Sequence, residues 1–110
     1  MKHNRTLRDQ GSPVLLLAQL HRETPTLPAA EFHVSAIYPD RLEVSVHDDL
    51  DAFEAWRTAL GLGRPVDRSR DRSWWVTVDG VVDDVPVRLT GFASADEVET
   101  YMAEHVAVAA

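Results

Sequence analysis

The sequence predicts a single α+β domain of order αββαββα, with a four-stranded, largely antiparallel sheet of two hairpins and helices mainly on one face. Three observations carry this expectation. Residues 73–92 contain two alternating strands whose register can be solved from the letters alone. Residues 31–46 alternate in the same way. Between and after them run stretches with apolar residues at helical spacing and recognisable caps.

The second hairpin offers two turns, Asp79-Gly80 and Asp83-Asp84. A turn at Asp79-Gly80 brings Asp83 opposite Val76 on the apolar face. Turning at Asp83-Asp84 pairs Val82 with Val85, Gly80 with Val87, Val78 with Leu89 and Val76 with Gly91, all apolar or glycine. The other face then gains Asp79 opposite Arg88, Thr77 opposite Thr90 and Trp75 opposite Phe92. These are pair types that stabilise adjacent strands, and a one-residue slip destroys both sets. The sequence therefore predicts the Asp83-Asp84 turn.

Taken from the start, residues 1–11 are polar, without an apolar period, and read as a flexible arm preceding a domain over 12–110. Ser12 and Pro13 suit the cap and first position of a helix running to about Glu23, with Val14, Leu17 and Leu20 facing the core. Thr24-Pro25 and Leu27-Pro28 stop it in a stiff linker. Phe32, Val34, Ala36 and Tyr38 then share one strand face, and Leu42, Val44 and Val46 the next. Pairing these faces implies a loop Pro39-Asp40-Arg41, Ala36 opposite Val44, and His33 opposite His47. Asp48 or Asp49 caps a helix with the stripe Leu50, Phe53, Trp56 and Leu60, closed by Gly61 and Gly63. Residues 62–72 read as a loop rich in Arg and Asp. Ser94-x-x-Glu97 is a capping box that opens a last helix carrying Val98, Tyr101, Met102 and His105.

A chain of 110 residues is one domain, long enough to bury about two-thirds of its unfolded surface. It has no cysteine, so neither disulfides nor thiolate chemistry are available. The formal charge of −7 opposes non-specific attraction to nucleic acid or anionic membrane. The longest apolar run, Val14 to Ala18, is far too short to span a bilayer, and the N-terminal residues do not resemble a signal peptide. The expectation is a cytoplasmic protein. One lysine against ten arginines, with abundant Ala, Val and Asp, points to a high-GC bacterial genome.

Four groups of residues are candidates for chemistry or binding. His33 and His47, if opposite, form half of a divalent metal site that Glu31, Asp48 or Asp49 could extend; a solvent-facing polar pair is the plainer account. The run from His47 to Asp51 lacks the spacing of a calcium loop and is explained by helix capping. Arg64, Arg68, Arg70 and Arg72, with Lys2, Arg5 and Arg8 of the arm, could contact phosphates. Asp67 and Asp71 interleave with those arginines, however, and favour a self-paired, solvated loop over a nucleic-acid surface. Nucleophilic catalysis has no support: no serine has a Gly-x-Ser-x-Gly context, no phosphate loop exists, and no cofactor motif is present.

The fourth group is the outer sheet face, where Trp75, Phe92, Val81, Pro86, Ile37 and Arg88 point away from the core stripe. If the helices cover only the other side, these residues form an exposed patch suited to a homodimer or a protein partner. If the first or last helix folds over, the patch is ordinary core. The sequence favours a non-enzymatic interaction module over a ligand or metal site near His33, His47 and Trp75, and over a nucleic-acid accessory role.

Overall fold

The computed structural model describes residues 5–106. The elements follow the order α1 (Gly11–Glu23), β1 (Glu31–His33), β2 (Leu42–His47), α2 (Leu50–Ala59), β3 (Val66–Arg70), β4 (Ser73–Val82), β5 (Val85–Ala93) and α3 (Ala95–His105), with a 3₁₀ turn at Leu7–Gln10 before α1. The strands form one sheet ordered β1-β2-β5-β4-β3. β2 and β5 run parallel, and every other neighbouring pair runs antiparallel. The fold class holds, a single α+β domain, but the sheet is five-stranded and mixed rather than four-stranded.

The β4–β5 hairpin has the expected register throughout, from Trp75↔Phe92 through Asp79↔Arg88 to Val82↔Val85. Both turn residues have positive φ, 49° at Asp83 and 66° at Asp84. That backbone matches the right-handed twist of the flanking strands, and Asp tolerates it better than most residues.

Three expectations need correction. Residues 66–70 are not loop but β3, an edge strand of five exposed residues paired with β4. Its charged side chains, Asp67, Arg68 and Arg70, hide the alternation that marks a half-buried strand. Such charges also guard an unpaired edge against association. The first hairpin is shorter and shifted: Phe32, not Ala36, stands opposite Val44, and His33 stands opposite Glu43. The shift is four residues, an even number, so the expected faces survive. Beyond His33 the chain leaves the sheet, because side chains bind its backbone: Gln10 Nε2 donates to Val34 O, Arg5 to the carbonyls of Ala36 and Ile37, and the Ile37 amide to Ser35 Oγ. Finally, α1 begins one residue before Ser12, after a turn capped reciprocally by Thr6 and Asp9, and buries Pro13, Leu16 and Leu20 while Val14 is exposed.

The sheet's inner face carries the core. Leu42, Val44 and Val46 of β2, Val76 and Val78 of β4, and Val85, Val87 and Leu89 of β5 are buried there. Against them lie Leu16 and Leu20 of α1, Leu50, Phe53 and Trp56 of α2, and Val98 and Tyr101 of α3. Gly91 lets α2 approach closely: a Cβ there would stand 2.9 Å from Leu50 Cδ2 and 3.0 Å from Phe53 Cδ1. Asp49 caps α2 by accepting from the Ala52 amide at 2.9 Å, and the Ser94–Glu97 box opens α3 as expected. All three helices therefore sit on one face of the sheet.

Candidate functional site

The outer sheet face has no described helix over it, and period-two alternation sorts its side chains into rows across the strands. One row runs His47, Phe92, Trp75, Arg68 over β2, β5, β4 and β3. His47 stacks on Phe92, with ring centroids 5.0 Å apart and planes 15° from parallel. Phe92 meets Trp75 at 6.0 Å and a 47° tilt. The next row is Ser45, Thr90, Thr77, Val66, with the two threonine hydroxyls 3.3 Å apart. A third row is His33, Glu43, Arg88, Asp79. Arg88 makes a bidentate pair with Asp79, Nε to Oδ1 at 2.8 Å and Nη2 to Oδ2 at 3.2 Å. That pair lowers the Asp79 pKa and raises that of Arg88. Val81 and Pro86 form the last row.

The six residues expected to form one patch thus divide. Trp75 and Phe92 are neighbours and half-buried. Val81 and Pro86 lie six residues along the strands, about 20 Å away at about 3.3 Å per residue. Arg88 and the threonines separate the two groups. Ile37 is 66% exposed in the loop after β1, outside the sheet. The aromatic row instead borders a trough of about 660 Å³, lined by Trp75, Phe92, Thr77, Thr90, Arg64 and Arg68 among others. Its lining mixes aromatic faces with hydroxyls and charges.

The shifted first hairpin separates His33 from His47, so the cross-strand histidine pair does not form. His47 Nε2 instead lies 3.0 Å from Glu31 Oε1. The described residues hold no group of three or more His, Cys, Asp or Glu side chains placed to bind one metal ion. The arginines also spread out. Arg68 sits on the outer face opposite Trp75 and Arg70 opposite Ser73, Arg72 is in the β3–β4 turn, and Arg64 donates to Val106 O at 2.8 Å. Arg5 is tied to the loop between β1 and β2, at the opposite edge of the sheet from β3. Lys2 lies outside the described residues. Among the described residues, Arg5 and the arginines of β3 therefore lie at opposite edges of the sheet.

One cluster escaped the sequence. Glu54 and Arg57 form a bidentate pair on α2, at 2.8 and 2.6 Å, and Tyr101 of α3 donates to Glu54 Oε1 at 2.6 Å. Arg57 also donates to the carbonyls of Leu62 and Gly63. The Arg57 guanidinium, helped by the Tyr101 hydroxyl, holds the Glu54 carboxyl at about 2, although burial acts the other way. Burial, then the bond to Glu54, pushes the Tyr101 hydroxyl up. Every strong donor here is matched, so the cluster is a clasp joining α2, α3 and the loop between α2 and β3. The i,i+3 spacing of Glu54 and Arg57 was its visible half; Tyr101 lies too far along the chain to be paired by pattern.

No helix among the described residues is long and apolar enough to cross a membrane. Comparison with protein-family models, curated proteins and solved structures gives no match.

Proposed function

We propose that this chain is a small, non-enzymatic interaction module of the bacterial cytoplasm that self-associates through the outer face of its sheet around Trp75 and Phe92. One observation carries the proposal: all three helices pack on the inner face, leaving an aromatic row on the outer face with no described element over it. Trp, Phe and Arg are the types that interfaces favour. The charges on this face are also arranged for a second copy. β3 at one edge presents Arg68 and Arg70, while Glu31 and Glu43 stand on β1 and β2 at the other, where His47 and Arg41 of the same chain already contact them. A two-fold axis running along the central strand β5 lays the basic edge of one copy over the acidic edge of its partner. Edge-to-edge pairing through β3 is disfavoured by its charged side chains.

Light scattering over a range of concentrations tests this, with Trp75→Glu beside the native chain and far-UV circular dichroism to confirm that the variant folds. A dimer that Trp75→Glu dissociates supports the proposal. A monomer at every concentration overturns it, as does a dimer that Trp75→Glu leaves intact.

A second reading, a small polar ligand in the same face, is favoured by the trough, where the Thr77 and Thr90 hydroxyls stand beside the Trp75 ring. It predicts that a nucleotide or a sugar raises the melting temperature of the native chain but not of Trp75→Ala. A flat response to both compound classes rejects it.

A further inference from the structure

A second concavity lies on the other side of the molecule, between α1, the linker of residues 24–30 and Trp56 of α2. Its volume of about 680 Å³ falls within the range of about 300–1,000 Å³ typical of small-molecule sites. The sequence builds it in three steps. The apolar run from Val14 to Ala18 gives α1 more apolar surface than the sheet can cover, so Leu17 and Ala18 turn into the groove while Leu16 and Leu20 go to the core. Pro25 and Pro28 stiffen the linker, which is anchored to α1 by the Thr24 amide and hydroxyl, both donating to Leu20 O at 2.8 and 2.7 Å. The Trp56 indole N–H then donates to Pro28 O at 2.9 Å. This bond pins the linker and uses the only polar atom of the indole, so Trp56 shows the groove its carbon surface. Phe32, edge-on to Trp56 at 5.8 Å, completes the apolar wall and is still 41% exposed.

The polar part of the groove is one-sided. The chain has 18 acidic residues, yet no Asp or Glu lines this cavity. Arg22 is the one arginine of the lining, and His21 stands beside it at the end of α1. Among the described residues neither side chain makes a hydrogen bond or an ion pair, in contrast to Arg41, Arg57 and Arg88, which all hold carboxylates. An apolar trough whose lining has an arginine and no carboxylate is locally complementary to a molecule with an apolar body and a single anionic head, although the net charge of −7 opposes its approach.

We infer that this groove binds a free single-chain carboxylate, its hydrocarbon chain lying on Leu17, Leu27, Phe32 and Trp56 and its head group on Arg22. The site is separate from the outer sheet face and does not depend on the role proposed for it. No bond is made or broken.

The test titrates the ¹⁵N-labelled chain with decanoate below its micelle concentration and follows backbone amides and the three indole N–H signals. The Trp56 indole signal, assigned by Trp56→Phe, and the amides of Leu17, Leu27 and Phe32 shift saturably, while Trp75 and Phe92 stay still. Arg22→Gln, an exposed change at a helix end, weakens decanoate about fivefold, the scale of a partly exposed ion pair. Decanol binds native chain and Arg22→Gln alike, and decyltrimethylammonium binds more weakly than either. Leu17→Glu, checked for folding by circular dichroism, abolishes decanoate binding. The inference is overturned by the absence of saturable shifts, by shifts confined to the outer face, or by equal decanoate affinity in Arg22→Gln. Co-sedimentation with phosphatidylglycerol vesicles in the absence of decanoate binding also overturns it and assigns the groove to a membrane surface.

Discussion

Gly91→Ala adds one methyl group where α2 meets β5, and its effect can be worked from the contacts. The new Cβ stands 2.9 Å from Leu50 Cδ2, 3.0 Å from Phe53 Cδ1 and 3.2 Å from Phe53 Cβ, all inside the 3.4 Å at which ordinary contact begins. Leu50 Cδ2 is a side-chain end that can rotate. Phe53 is fully buried and its Cβ is fixed to the helix, so relief requires α2 to lift. Overpacking of this kind costs about 1–3 kcal/mol. Against it, alanine in a strand interior is better than glycine by about 0.5–1 kcal/mol. The packing cost wins, and the variant loses about 1 kcal/mol. For a domain of this size that lowers Tm by about 4 °C. Urea unfolding followed by circular dichroism should show a lower midpoint with an unchanged slope. Adding Leu50→Val removes the nearest clash, so the double variant should be more stable than the sum of the singles by about 0.5 kcal/mol or more. A Gly91→Ala protein as stable as the native chain would refute the close seating of α2 on β5.

Three further outcomes follow from particular residues. Asp84→Gly removes a side chain from a residue at φ 66° and should stabilise by about 0.5–1 kcal/mol in the same unfolding assay; Asp84 suits the change better than Asp83, whose carboxylate accepts from Gln19. Ser94→Ala breaks the capping box of α3 and should cost about 1 kcal/mol, read as a fall in urea midpoint. Glu54 is depressed from 4.5 to about 2 in the folded chain, so its stabilising contribution is complete above about pH 4.5 and is lost as pH falls towards 2. Thermal melts across that window should show Tm falling with acid, and Glu54→Gln, less stable at pH 7, should show a shallower fall; equal slopes would remove Glu54 from the acid response.

What the sequence disclosed and what it hid divide along physical lines. The β4–β5 register was legible because its constraints are local and redundant: a positive-φ turn of two aspartates, an apolar face, and the Asp79–Arg88, Thr77–Thr90 and Trp75–Phe92 pairs all require one alignment. Asp49 and Ser94 were legible as caps because a cap acts within one helical turn. β3 was hidden because an exposed edge strand is held by backbone bonds and needs no apolar side chains. The parallel pairing of β2 with β5 was hidden because the two strands are joined by no turn whose residues could record it. α1 misled through richness: five apolar residues in succession fit several helical faces, and Leu16 rather than Val14 or Leu17 proved to be buried. For the outer face, alternation told which residues share it. It could not tell that Val81 and Pro86 stand far from Trp75, nor that the β1–β2 register places His33 opposite Glu43 rather than His47.

The position of β5 bears on how this chain comes to be folded at all. Of the five described strands it is the last to leave the ribosome, yet it occupies the middle of the sheet, between β2 and β4. Until residues 85–93 are made, the β1–β2 pair and the β3–β4 pair are two fragments with no bond between them, each with an unpaired inner edge. Partial chains should therefore stay open to proteases and chaperones until residues 85–93 emerge, then close in one step when β5 inserts. A chain cut before Val85 would lose the keystone that joins the two halves rather than a peripheral strand, and neither half should fold without it.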